Sequence, residues 1–349
     1  MKTNYFFPLS VFSLLILIAS CNKKAEQKKQ IDNSIPFEVF AKFERVEGAS
    51  PLITVDPPEW AAAAHTLIVK DTIHYFWSKR DEHKFWDLRH SYAPVENPER
   101  VVHDSRNPIL SPPETGMDSK SIEYPCPFYN PLDKKFYMYY LVKENIPGTM
   151  SPKQTGLLVS DGDMGDWKRV VDHPVIYSEF EHEKIVAGHT AVAIVKDTIH
   201  IIYTSLISYD HNPAVCLATA PLNDPKKVTK NPDNPVFKGS GKAWDAYGVR
   251  EAEILKGPEY FHIFYGGRDK EGIFQIGHVR TKDFKTFEPN PYNPILTVAE
   301  DENAWDSDGL LTPQVFEMGD YYYMLYAGLN GPDWNKGHCV SGLARAPKH

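Results

Sequence analysis

The chain has 349 residues, 42% hydrophobic and 13% aromatic, with a formal net charge of −8. Such a composition builds a full core, and its acidic balance argues against nucleic acid or an anionic membrane surface as partner. It favours a neutral ligand such as a sugar.

In chain order, the first segment lies outside any fold. Lys2 supplies a positive start, Phe6 to Ile18 an apolar stretch, and Ile18-Ala19-Ser20-Cys21 a small-residue cleavage site. Cys21 after Ala-Ser resembles the lipobox of bacterial lipoproteins, which implies lipidation of Cys21 and anchorage at the cell envelope. Residues 1–20 are therefore expected to be a signal peptide and 21–35 a polar, lysine-rich tether. No later apolar run approaches the roughly 18 residues of a spanning helix. The membrane is thus reached only through the lipid.

Residues 36–349 carry a fivefold repeat. Asp56, Asp118, Glu183, Asp245 and Asp306 stand 62, 65, 62 and 61 residues apart. Nine positions after Asp56 and six or seven after each of the others, an apolar strand begins and runs through a hairpin to an aromatic-rich end, at 65–78, 125–141, 189–205, 251–267 and 312–328. Lys70-Asp71, Lys196-Asp197, Gly257-Pro258 and Gly319-Asp320 mark the hairpin turns. Small-residue strands follow at 155, 214, 274 and 340. A proline edge motif closes four copies, with Pro108, Pro174, Pro235 and Pro294 spaced 66, 61 and 59 apart. Repetition at this period, with no amphipathic helix, predicts an all-β, five-bladed β-propeller in one domain. The fifth copy lacks the edge motif, so residues 36–50 are expected to supply its outer strand and close the ring.

Besides Cys21, Cys126, Cys216 and Cys339 fall on three different repeats without metal-ligand spacing. They are expected to be buried apolar fillers, one disulfide being the lesser alternative.

In a propeller, the starts of the innermost strands ring one mouth of the central channel. The equivalent starts read Ala62-Ala63, Tyr124-Pro125, His189-Thr190, Glu251-Ala252 and Thr312-Pro313. Glu59, Trp60, Glu123, Tyr247, Arg250 and Asp308 lie just upstream, and Gln314 just downstream. Carboxylates, His, Arg and Trp in one pocket suit a sugar, because carboxylates bond hydroxyls and move protons while aromatic faces stack on pyranose rings. Trp60 is the expected platform. The recurrent acids of Trp244-Asp245 and Trp305-Asp306 read as structural groups, and His65 as core-adjacent. Glu253, two residues past Glu251, points the same way if its strand is regular.

Repeats of this length, the NPIL-like edges and the segment IGHVRTKDFKTF (276–287) resemble the glycoside hydrolase clan containing families 32, 43, 62, 117 and 130. In blade 4 the run Glu251 to Lys256, Gly257 and Tyr260 to Tyr265 is similar to the family 43 strand bearing the catalytic acid. The resemblance implies an exo-acting, inverting glycosidase with Glu251 as acid, a carbohydrate substrate, and no required cofactor, with room for a structural calcium ion. A monomer is expected. Where that clan keeps two aspartates, this chain has His189 and an alanine, so three options stay open. The base is Glu123, or Asp56 or Glu59; or His189 takes part in proton transfer; or the protein is a non-catalytic glycan binder. A phosphorolytic enzyme ranks third, because the sequence shows no basic phosphate cluster.

Overall fold

The computed structural model describes residues 34–208, 212–331 and 337–349. Cys21, the signal peptide and almost all of the tether therefore lie outside the described residues. Residues Ser34–His349 form one compact unit.

Twenty strands follow in order: β1 (Glu44–Arg45), β2 (Trp60–Val69), β3 (Thr72–Arg80), β4 (Trp86–Pro94), β5 (Val102–His103), β6 (Ser121–Asn130), β7 (Lys135–Lys143), β8 (Gln154–Ser160), β9 (Lys168–Arg169) and β10 (Val186–Val195). Then come β11 (Thr198–Leu206), β12 (Ala214–Pro221), β13 (Thr229–Lys230), β14 (Val249–Lys256), β15 (Phe261–Arg268), β16 (Phe274–Thr281), β17 (Phe287–Pro289), β18 (Gly309–Met318), β19 (Tyr321–Asn330) and β20 (His338–Pro347). Their pairing falls into five antiparallel four-stranded units, the first two joined by a single parallel bridge between Trp86 and Ser121. The innermost strands β2, β6, β10, β14 and β18 each touch the next, and β18 returns to β2. The chain is a β-propeller.

Closure follows expectation. β1 pairs with β20, so the segment before the first repeat supplies the outer strand of the last unit. It reaches slightly further than residue 50, since Ile53 also bridges Ser341. Leu110, Ile176, Phe237 and Leu296 make the equivalent bridges in the other units, each two residues past its edge proline. Asn107, Asn234 and Asn293 each take the N–H and bond the C=O of one residue on the neighbouring strand: His90, Leu217 and His278. An Asn side chain thus mimics a ladder partner where proline has no N–H to offer. Ser50 replaces it in the fifth unit, through both polar atoms of Leu343.

Four of the recurrent acids hold their units together from inside. Asp118, Glu183, Asp245 and Asp306 are buried, and each accepts a hydrogen bond from a buried tyrosine on the second strand. The pairs are Tyr140 at 3.0 Å, Tyr203 at 2.7 Å, Tyr265 at 3.0 Å and Tyr326 at 2.9 Å. Three also meet a cation from the outermost strand: Arg169 at 2.7 Å, Lys230 at 2.6 Å and Arg45 at 2.7 Å. Asp245 instead takes Ser240 through its N–H and hydroxyl. The first unit differs. Trp77 occupies the tyrosine's place and bonds Ser91, so no phenol meets Asp56, which lies exposed.

Cys126, Cys216 and Cys339 are free and buried, as apolar fillers should be.

Charge-assisted hydrogen bonds contribute about 1.5–3 kcal/mol each. Tyr326→Phe should therefore lower unfolding free energy by about 1–3 kcal/mol, and Asp306→Ala by more, since it strands both Arg45 and Tyr326. Asp56→Ala should stay within about 0.5 kcal/mol of the parent. Urea unfolding at unchanged m-value checks all three.

Candidate active site

Each innermost strand carries a β-bulge at the position singled out by the repeat. The register slips between Ala62 and His65, Glu123 and Cys126, Gly188 and Ala191, Arg250 and Glu253, and Leu311 and Gln314. The first bulged residue is always left-handed and never glycine: Ala63, Tyr124, His189, Glu251 and Thr312 have φ between 51° and 57°. That conformation costs about 1 kcal/mol or more per non-glycine residue. The bulge re-aims these side chains, and all five meet in an axial cavity of about 20 Å³. This cavity is too small for a sugar.

Above it opens a pocket of about 750 Å³, whose walls include Glu123, Tyr124, Glu251 and Thr312. Glu123 is 1% and Glu251 4% exposed. Oε2 of Glu123 lies 2.8 Å from Lys153 Nζ, and Oε1 of Glu251 pairs with Arg250. The other oxygen of each, Oε1 of Glu123 and Oε2 of Glu251, is buried without a hydrogen-bond partner among the described residues. Thr204 holds the Glu251 backbone by accepting its N–H at 2.8 Å.

His189 sits beneath this pair rather than in the larger pocket. Its ring centroid is 3.9 Å from that of Tyr124, and Nδ1 is 3.8 Å from Glu251 Oε1. Burial, then Arg250 and Lys153, push its pKa well below the ordinary histidine value. Burial and the neighbouring cations thus favour the neutral ring of His189 over its charged form.

Several expected residues take other places. Asp56 and Glu59 do not line the pocket, and Glu59 is tied to Lys79 at 2.6 Å. Tyr247 is exposed beside the pocket but outside its lining. Gln314 is buried away from it and accepts from Thr66 at 2.9 Å. Asp308 does line the pocket and takes the Gly331 N–H at 2.8 Å. Trp60 lines it too, but the Arg80 guanidinium lies 3.4 Å from its ring centroid and covers the face a sugar would need. Glu253 borders the same axial cavity as Glu251 but does not line the larger pocket. It meets His65 Nε2 at 2.7 Å.

The pocket's charge was missed. Seven Lys or Arg line it against four Asp or Glu, so it is cationic although the chain is acidic. This corrects the expectation that the chain has no basic cluster. The signal lay in the last residues of the second strands, Arg80, Lys143 and Arg268, which the repeat alignment places at one level.

No family model matches the chain. A β-1,2-mannobiose phosphorylase from Thermoanaerobacter sp. (strain X514) is 26% identical over 104 residues, covering 26% of this chain and 33% of that protein. The match thus spans about a third of that relative's length. Solved structures match far more of the chain. BT0996 in complex with RGII has a TM-score of 0.69 at 15% identity, covering 89% of this chain and 95% of that one. The catalytic domain of a Coprinopsis cinerea GH62 α-L-arabinofuranosidase has 0.61 at 14%, covering 88% and 98%. A thermostable family-43 glycoside hydrolase has 0.63 at 13%, covering 85% and 92%. The fold is one that glycoside hydrolases use.

Buried neutral histidines make stability acid-sensitive. His74 and His262 are lowered to about 4 by burial, and His189 and His278 well below normal. Between pH 6.5 and about 4 the unfolded chain binds protons that these folded rings refuse, so stability present above 6.5 falls with pH. The melting temperature should drop between pH 7 and 5, and His189→Leu should flatten that drop. A pH-independent melting temperature across that window would contradict the assignment.

Proposed function

We propose that this protein is an exo-acting, inverting glycoside hydrolase acting on plant or algal glycans, anchored to the bacterial envelope through lipid on Cys21. One observation carries the reading: two buried carboxylates share a pocket, each clamped through one oxygen and each offering the other. Pockets of about 300–1,000 Å³ hold small ligands, and 750 Å³ suits one end of a glycan.

Glu251 donates a proton through Oε2 to the leaving glycosidic oxygen as the bond from that oxygen to the anomeric carbon breaks. Glu123, ion-paired with Lys153, accepts a proton through Oε1 from the water whose oxygen bonds that carbon from the opposite face. The product hemiacetal has inverted configuration. Arg250 fixes Glu251, and His189 supports it as a neutral ring under Tyr124. The chemistry asks for no cofactor.

Phosphorolysis is a second reading, favoured by the basic pocket lining and by the similarity to a mannobiose phosphorylase. There phosphate replaces water and Glu123 loses its role as base.

Aryl glycosides and plant oligosaccharides should be turned over without phosphate. Glu251→Gln should cut kcat by about 10²–10⁴-fold while leaving binding intact. Turnover surviving in Glu251→Gln would sink the acid assignment, and a strict phosphate requirement would replace hydrolysis by phosphorolysis. Tight glycan binding without turnover by the parent would leave a binding protein.

A further inference from the structure

The reading above uses only Lys153 and Arg250 of the seven pocket cations, and three of the other five share one level. Arg80, Lys143 and Arg268 end β3, β7 and β15, two residues beyond the positions facing the bulge residues' neighbours Ala62, Glu123 and Arg250. Trp60 pairs with Arg80, Ser121 with Lys143, and Gly248 bonds Arg268 through the backbone. The three therefore stand at one level on three units, and all three line the 750 Å³ pocket. The equivalent residues of the other units, Leu206 and Leu329, are apolar.

None of the three has a carboxylate partner among the described residues. Arg80 is the sharpest case. Only 8% of it is exposed, its Nε is buried without a hydrogen-bond partner, and its guanidinium rests against Trp60. An unpaired buried charge is costly, and a cation–π contact offsets only part of the cost. Lys143 is half-buried, and burial together with Lys153 and Lys120 makes its proton harder to hold, an effect that Glu123 only partly offsets. Such groups are stabilised by an anion arriving from outside, and arginine's planar fork matches a carboxylate with two parallel bonds.

We propose that Arg80, Lys143 and Arg268 bind an anionic group carried on the sugar itself, so that the substrate is an acidic glycan such as a uronide. This rests on the glycan-binding reading of the pocket. The level of the cations argues against free phosphate. A phosphate attacking the anomeric carbon would sit beside Glu123 and Glu251, where Lys153 and Arg250 are already ion-paired. Arg80, Lys143 and Arg268 lie further toward the strand ends, where a substituent of the bound sugar reaches.

The test is calorimetric titration of the full protein and of Glu251→Gln with galacturonic and glucuronic acids, galactose, glucose and inorganic phosphate. A uronic acid should bind at least about tenfold more tightly than its neutral counterpart, since hydrogen bonds to charged groups contribute about that factor. Added salt should erode the preference. Arg80→Gln and Lys143→Gln should abolish it without lowering the melting temperature, because each removes an unpaired charge. Should Arg80→Gln misfold, the rim residue Lys143 decides. Equal binding of acidic and neutral sugars, binding of neither uronic acid, or phosphate binding without uronate preference would each overturn the proposal. Glu251-dependent hydrolysis of a neutral glycan would overturn it too, yet leave the hydrolase standing.

Discussion

One extra residue in each innermost strand sets the geometry on which the pocket depends. A regular strand alternates its side chains between two faces, whereas the bulge lets Glu251, Ala252 and Glu253 all border the axial cavity. Glu251 also reaches the wider pocket, while Glu253 stays below it with His65. Because the slip recurs five times at one level, five residues converge on the axis from five directions. The backbone there is left-handed at Tyr, His, Glu and Thr, where glycine would be easier. The fold maintains that strain by clamping the strands elsewhere.

The clamps are the acid–tyrosine pairs. Each ties the crossing segment to the second strand, and in three units also to the outermost strand, through a carboxylate removed from water. The same residue type therefore does two unlike jobs in this chain. Asp118 and Asp306 each take a phenol and a cation on Oδ2, while Glu183 and Asp245 use both oxygens. Glu123 and Glu251 each keep one oxygen unpartnered among the described residues. A buried oxygen left without a hydrogen bond, rather than burial of the side chain, sets Glu123 and Glu251 apart from the clamp acids.

Charge follows a similar division. The chain is acidic overall, but its acids are spread over the surface and the clamps, while lysines and arginines gather at the mouth of the channel. Net charge reports on solubility and long-range encounter, and says little about a pocket whose walls come from several units. Arg80 also changes what Trp60 can do, because a guanidinium over the ring takes the face that a sugar would use.

The period of the repeat made the propeller, its closing strand and the level of the site readable from the chain alone, since each unit repeats the same local pattern of turns, strands and edge proline. It also marked Glu251 as the one acid among five equivalent strand starts. The direction of side chains was not readable there. A bulge is a slip between two strands, and nothing local in Arg250-Glu251-Ala252-Glu253 announces it. Asp56 looked equivalent to the other acids, but its role depended on whether a tyrosine or Trp77 stood opposite on another strand. The cationic mouth needed the closed ring as well as the repeat. Arg80, Lys143 and Arg268 are 63 and 125 residues apart, and only closure of the ring brings them to one pocket.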